Sequence, residues 1–244
     1  MPDSFYAADE TRAQRVNDLF ATIAPRYDLI NDLQSFGLHR LWKRRLIQLA
    51  GVRSGMHALD LCCGTGDVAF ALADAGAKVT ACDFSVPMLE VAKNRASRRN
   101  RSRSAGEILT FLQADALHLP LASNTFDIVT IAYGLRNLAD FRAGLIEMLR
   151  VLKPGGKLLI LDFGKPDFAP WRAAYFAYLK LFVPLFGKIF CGNSATHAYI
   201  LESLKKYPAQ KGIAAMLNEL GCRDPRIENL LGGVMSINVA TKFS

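Results

Sequence analysis

Two hydrophobic rhythms alternate along the chain. Short runs that are apolar at nearly every position, such as 57–62 and 126–132, are bounded by glycine or polar turns. Their length and continuity are those of strands buried on both faces. Between them lie longer segments whose apolar residues recur every three or four positions, the period of helices packed on one side. Read in order, the pattern predicts strand 57–62, helix 67–75, strand 78–82, helix 86–96, strand 107–113, strand 126–132, helix 140–151 and strand 157–162. Such alternation predicts an α/β fold with a doubly wound, mostly parallel sheet. Helices over 9–24 and 29–50 precede it and end at the Gly51–Gly55 turn. A helix over 195–220 follows, then strands 222–229 and 234–241, with Gly232-Gly233 between them predicting an antiparallel hairpin. The seven strands fit one domain over 1–244, with an N-terminal helical part (9–50), a core (56–163), an insertion (166–192) and a C-terminal helix and hairpin (195–242).

The insertion breaks the alternation. It carries Trp171, Tyr175, Phe176, Tyr178, Phe182, Phe186 and Phe190, with Lys180 near its middle and Pro184 inside it. No uninterrupted apolar run reaches the roughly 20 residues needed to span a bilayer. A helical cap is expected, lining a pocket for an apolar substrate or touching a membrane surface. Aromatic packing against the sheet is the plainer alternative, and the two are compatible.

Composition narrows the class. Hydrophobic residues make up 51% of the 244, enough for a sizeable core, and residues 1–12 do not read as a secretory leader. Five cysteines without a C-x-x-C pair, and four scattered histidines, favour reduced thiols, a cytoplasmic setting and no metal site. The net charge is +8, and Lys93, Arg95, Arg98, Arg99, Arg101 and Arg103 supply much of it. A solvated helix end explains that run. An anionic membrane surface or a nucleic acid would also fit, although the run lacks the interleaved aromatics that stack on bases.

Residues 59–67, Leu-Asp-Leu-Cys-Cys-Gly-Thr-Gly-Asp, carry the most chemistry. A strand runs into a glycine turn and a helix, and a second strand ends on Asp83, nineteen residues after Gly64. That is the arrangement that holds an adenosine ribose. Gly64 and Gly66 let the backbone approach a ligand, the Thr65 hydroxyl can donate to it, and Asp83 can accept from both ribose hydroxyls. After the third strand, Asp115 can accept from an adenine amino group while the Ala116 N–H reaches the ring. Asp60 and Asp67 flank the turn and would repel a pyrophosphate there, whereas they suit the sulfonium and ammonium of S-adenosylmethionine. After the fourth strand, Tyr133-Gly-Leu-Arg136-Asn137 places an Arg-Asn pair beside a glycine, an unusual combination for packing alone and a candidate substrate contact.

This ensemble resembles class I S-adenosylmethionine-dependent methyltransferases, with Phe126-Asp127 and Leu152-Lys-Pro-Gly-Gly156 as further points of likeness. Within that class Tyr27-Asp-x-x-Asn31-Asp, the Ser35–Arg44 segment, Gly64-Thr-Gly-Asp67, Tyr133–Asn137, Tyr199-x-x-x-Ser203 and Asn229-Leu-x-Gly-Gly233 are similar to the ubiquinone/menaquinone biosynthesis C-methyltransferases, over about residues 15–242. The resemblance implies methyl transfer from S-adenosylmethionine to a ring carbon of a polyprenylated quinol. It implies Asp60, Gly64, Thr65, Gly66, Asp83, Asp115, Ala116 and Tyr27 for the cofactor, and Arg136, Asn137 and Tyr133 for catalysis. Because arginine stays protonated, Arg136 is expected to stabilise the quinolate electrostatically rather than act as a base. His39 is expected to be structural, and His197 is a weaker candidate base. The cysteine pair Cys62-Cys63 tilts the acceptor towards a naphthoquinol; demethylmenaquinol is expected, and benzoquinol and phytylnaphthoquinol precursors stay open. Peripheral contact with the inner leaflet and no nucleic-acid partner are expected, and a homodimer is left open. Ala132 stands where many relatives carry a hydroxyl residue near the cofactor. A nicotinamide-dependent oxidoreductase and an RNA-modifying protein are the competing classes; Asp67, Asp115 and the Tyr133–Asn137 motif oppose the first.

Overall fold

The computed structural model describes residues 18, 20–22, 24–100, 108–191, 203–204 and 206–243. Seven strands form one sheet: β1 (His57–Leu61), β2 (Lys78–Asp83), β3 (Leu109–Gln113), β4 (Phe126–Ala132), β5 (Leu152–Phe163), β6 (Arg223–Leu230) and β7 (Met235–Thr241). Their spatial order is β3-β2-β1-β4-β5-β7-β6. The first five strands pair in parallel, and β7 pairs antiparallel with both β5 and β6. The expected C-terminal hairpin is present, turning at Gly232 and Gly233, both at positive φ.

Helices cover both faces: α1 (Tyr27–Ser35), α2 (Leu38–Ala50), α3 (Asp67–Asp74), α4 (Val86–Asn100), α5 (Phe141–Val151), α6 (Ala169–Cys191) and α7 (Ala209–Glu219). The strand period of two explains how one chain feeds both layers. Leu59, Leu61, Val129, Ile131, Leu158 and Ile160 pack against Leu145 and Met148 of α5 and Ile213 and Leu217 of α7. Their alternates Ala58, Ile128, Leu159 and Leu161 pack against Leu46 of α2 and Val68, Ala69 and Leu72 of α3. Each fully buried leucine or isoleucine contributes about 1.5–3 kcal/mol, so the central strands are rigid supports for whatever lies at their ends.

Three expectations change in detail. The helix expected over 29–50 is two helices, because Phe36 (φ 51°) and Gly37 (φ 74°) turn left-handed in succession, and the Gly37 N–H returns to Asp32 O at 2.8 Å. The strand expected from 157 begins at Leu152, pairing with Phe126 before a register irregularity that absorbs the Pro-Gly-Gly turn. The helix expected over 195–220 begins, in its continuous part, only at Ala209, after Pro208 and a positive φ at Ala209. Most of the expected 9–24 helix, Arg101, Arg103, Glu107, and the 192–202 segment with His197 and Tyr199 lie outside the described residues.

The expected cap is α6. Tyr175 and Leu179, one turn apart, bury themselves against Leu204, and Tyr178 Oη donates to Gln34 O of α1 at 3.0 Å. Phe168 beside its start, and Trp171 and Leu181 on it, remain exposed. Among the described residues no helix is long and apolar enough to cross a membrane.

Candidate active site

The strand order reverses between β1 and β4, and the loops leaving their carboxyl ends diverge there, opening a crevice. A cavity of about 910 Å³, open on one side, occupies it. Asp83, Ser85, Met88 and Asp115–Leu117 line one end; Ala132–Gly134, Asn137 and Leu138 line the other; Tyr27 and Phe20 also border it. A second, smaller cavity of about 320 Å³ shares Tyr27, Cys62, Gly64, Ala132 and Tyr133 with it and reaches to Asp60, Lys43, Thr65 and Asp67. The four strand ends named from sequence therefore converge on one place.

The glycine turn is built for close approach. Gly64 (φ 52°) and Gly66 (φ 92°) are both left-handed, and a Cβ on Gly66 would lie 2.9 Å from the Phe70 ring. Asp83 braces the turn, accepting from Gly64 N (2.7 Å) through one oxygen and from Ser85 N (2.8 Å) through the other. Each oxygen keeps a lone pair for a ligand hydroxyl. Burial raises the Asp83 carboxyl, opposed by these backbone N–H groups. Asp115 is bound at Oδ1 by Leu117 N (2.9 Å) and stays part-exposed at the cavity edge, with Ala116 buried beside it.

Asp60 is 1% exposed. Its Oδ1 accepts from Thr130 Oγ1 at 2.7 Å, while Oδ2 has no hydrogen-bond partner among the described residues. Burial pushes this carboxyl up to about 7, with the Thr130 hydroxyl, Lys43 and the Ala69 backbone N–H opposing. A buried acceptor without a donor is costly, and here it borders an open cavity.

Thr65 and Asp67 differ from what the sequence predicts. Thr65 borders the smaller cavity, but its hydroxyl proton is already used: it donates to Asp28 Oδ1 of α1 at 2.7 Å. Asp67 is not an unbalanced carboxylate that would repel phosphate, because Lys43 Nζ lies 2.8 Å from Oδ2 and Arg95 Nη2 lies 2.6 Å from Oδ1. These cations overcome burial and hold Asp67 at about 2. Arg95 also bonds Asp28 Oδ2 and Thr65 O, each at 2.9 Å. The basic run is thus partly internal: Arg95 ties α1 and α4 to the glycine turn, and Arg99 pairs with Asp74. Of the two acids invoked against a phosphate, Asp60 alone keeps that argument.

The Tyr133–Asn137 segment forms the opposite wall. Tyr133 adopts φ 61°, a conformation costly for a bulky residue and characteristic of functional sites. Its hydroxyl is buried without a partner among the described residues. Gly134 follows because nothing larger fits: a Cβ there would lie 2.5 Å from Cys62 Cβ and 2.8 Å from its Sγ. Asn137 reaches the cavity, accepting from Arg136 Nη1 (2.7 Å) and donating to Tyr133 O (3.2 Å). Arg136 does not line either cavity. It is 6% exposed, lies 4.8 Å over the Phe163 ring, and its Nε is 3.3 Å from Asp162 Oδ1.

Asp162, 1% exposed at the end of β5, was missed in the sequence, although an acid ending the apolar run Leu158–Leu161 was a legible signal. Lys43, Asp28 and Thr130 were missed too, since their roles depend on contacts across the fold. His39 is structural as expected: Nε2 meets Asp32 Oδ1 at 2.7 Å, and Arg40 closes the same carboxylate. Among the described residues no His/Cys/Asp/Glu group could hold a metal.

A glycine turn at the switch point, an acid ending β2, and β7 inserted antiparallel beside β5 define the class I S-adenosylmethionine-dependent methyltransferases. Solved structures of such enzymes share the fold: a putative one from Methanococcus maripaludis (TM-score 0.59, 19% identity, 98% of this chain and 95% of that one), and a putative methyltransferase from Haloferax volcanii in complex with its Trm112 activator (TM-score 0.66, 15%, 92% and 98%). Sequence relatives go further. The chain is 39% identical to the ubiquinone/menaquinone biosynthesis C-methyltransferase UbiE of Cronobacter sakazakii over 97% of its own length and 94% of the relative's. It is 41% identical to the demethylmenaquinone methyltransferase of Beutenbergia cavernae, over 94% and 91%. The profile of the ubiE/COQ5 methyltransferase family matches residues 8–242, and the chain belongs to that family.

Proposed function

We propose that this methyltransferase carries a methyl group from S-adenosylmethionine to a ring carbon of a polyprenylated quinol, with demethylmenaquinol as the acceptor. The observation that carries the reading is the cavity itself. One end offers Asp83 and Asp115, and the other offers Tyr133, Gly134 and Asn137. The donor set fits the cofactor. The orphaned Asp60 Oδ2 suits an ammonium, the free lone pairs of Asp83 suit ribose hydroxyls, and Asp115 with the Ala116 N–H suits adenine. S-adenosylmethionine supplies a methyl group made electrophilic by its sulfonium.

The chain's own residues account for the acceptor side. An aromatic carbon becomes nucleophilic when the neighbouring hydroxyl ionises, so the site must favour a phenolate-type oxygen. Arg136 donates to Asn137 Oδ1 and polarises the amide, making the Asn137 Nδ2–H a stronger donor to such an oxygen. Asp162 holds Arg136 from behind, accepting from its backbone N–H at 3.2 Å and pairing with its guanidinium. The role expected of Arg136 thereby becomes indirect, acting through Asn137. Tyr133, strained and half-buried, presents its ring to the cavity and helps to exclude water around the reacting carbon. Exposed Phe168, Trp171 and Leu181, with Arg172 and Lys180 near them, support a peripheral contact between the cap and an anionic bilayer from which a prenylated quinol enters.

The test is an acceptor panel. The enzyme, S-adenosylmethionine and a demethylmenaquinol, a demethylated benzoquinol or a phytylnaphthoquinol are incubated under reducing conditions, and products are identified by mass. Methylated menaquinol as the main product is expected. Exclusive methylation of another quinol corrects the acceptor, and no methylation of any quinol overturns the reading.

A further inference from the structure

Lys43 does more than its ion pair requires. It stands on α2 with its side chain 13% exposed, and its single polar contact among the described residues is Asp67 Oδ2 at 2.8 Å. An ammonium carries three donors, so two remain to be met in a place nearly closed to water, where unmet donors are costly. Asp67 does not depend on Lys43 alone, since Arg95 binds its other oxygen at 2.6 Å. Asp28 and Asp67 together face Arg95 and Lys43, a cluster whose charges cancel. The spare capacity lies in the smaller cavity, which both Lys43 and Asp60 line. Its lining therefore holds both the Lys43 donors that Asp67 leaves unmet and Asp60 Oδ2, which no side-chain donor meets among the described residues. A cavity with that pair of unmet groups suits a zwitterion.

We propose that Lys43 binds the α-carboxylate at the amino-acid end of the methyl donor, opposite Asp60, which takes the ammonium. This rests on the reading that the cavity holds S-adenosylmethionine, and it assigns a residue from outside the sheet to that ligand. Lys43 belongs to the N-terminal helices, so the bound amino-acid end draws α2 onto the glycine turn. The Lys43 Nζ lies 6.0 Å from the centroid of the Tyr133 ring, a residue that lines both cavities.

Calorimetric titration with two ligands differing by one carboxylate tests the proposal: S-adenosylhomocysteine and its decarboxylated analogue with a 3-aminopropyl thioether. The wild-type protein should prefer S-adenosylhomocysteine by about tenfold or more, the scale of a charge-assisted hydrogen bond. In Lys43→Met that preference should vanish, with the analogue bound within about twofold of wild type. Lys43→Arg should keep most of the preference, and it serves as the positively charged counterpart should the Met variant fail to fold. Equal weakening of both ligands in Lys43→Met shows a purely structural tie through Asp67 and overturns the proposal. An unchanged preference in a folded Lys43→Met, or its loss in a folded Lys43→Arg, also overturns it. Failure of the wild-type protein to bind either ligand overturns instead the reading of the cavity as a methyl-donor site.

Discussion

Burial of Asp60 costs stability at neutral pH and above. Its carboxyl rises from an ordinary 3.8 to about 7. Between those values the unfolded chain is ionised while the folded one holds its proton, so this group's contribution to stability declines as pH rises through that window. Asp60→Asn removes the liability while keeping an oxygen for Thr130. The variant should melt higher than wild type at pH 8, the difference shrinking towards pH 4, and should bind S-adenosylhomocysteine more weakly; calorimetric melts and titrations check both. An equal melting difference at both pH values would contradict the assignment. At Asn137 the argument is electrostatic: Arg136→Ala leaves its amide unpolarised, and turnover should fall by about 10²-fold or more while S-adenosylhomocysteine still binds. Near-normal turnover would remove Arg136 from the mechanism. Gly134→Ala is steric. A Cβ 2.5 Å from Cys62 Cβ must displace the turn, a destabilisation of about 1–3 kcal/mol readable by urea unfolding.

At the scale of elements, the parallel strands and their glycine turn were legible because their signals are local. A continuous apolar run such as 126–132 states its burial, and Gly66 and Gly134 stand where an added Cβ would crowd its neighbours. The side chains at strand ends that line the cavity were legible for the same reason, since the end of a parallel strand is a fixed address in such a sheet. The tie between the N-terminal helices and the turn was not. Asp28 and Lys43 lie on the two N-terminal helices and Arg95 on a helix beyond the glycine turn, and each alone reads as a surface charge; the fold alone shows that they meet at Asp67 and Thr65. The inward turn of Thr65 and the retreat of Arg136 behind Asn137 were hidden likewise, because rotamers follow from contacts across the fold. Arg95→Ala leaves Asp28 without its arginine partner and should cost about 1 kcal/mol for part-exposed pairs. Faster amide exchange over 27–35 and 63–67 should accompany it. Unchanged exchange there would mean that the helices are held by apolar packing instead.

For the whole molecule, the proposed reading puts the cofactor at the end of the cavity lined from the glycine turn, Asp83 and Asp115, and the acceptor at the end lined by the turn after β4. Such a division suits a water-soluble donor meeting an acceptor from a lipid phase. Phe168→Ser with Leu181→Ser should lower binding to anionic vesicles by about tenfold or more, with S-adenosylhomocysteine affinity intact. Undiminished vesicle binding would move the contact elsewhere. The central claim, carbon methylation of a quinol in this cavity, is met most directly by following a labelled methyl group. With trideuteromethyl S-adenosylmethionine and demethylmenaquinol, the account predicts one labelled methyl on the naphthoquinol ring carbon, and none for Arg136→Ala on the same timescale. Label on a quinol oxygen, or no transfer by a protein that binds S-adenosylhomocysteine, would contradict it.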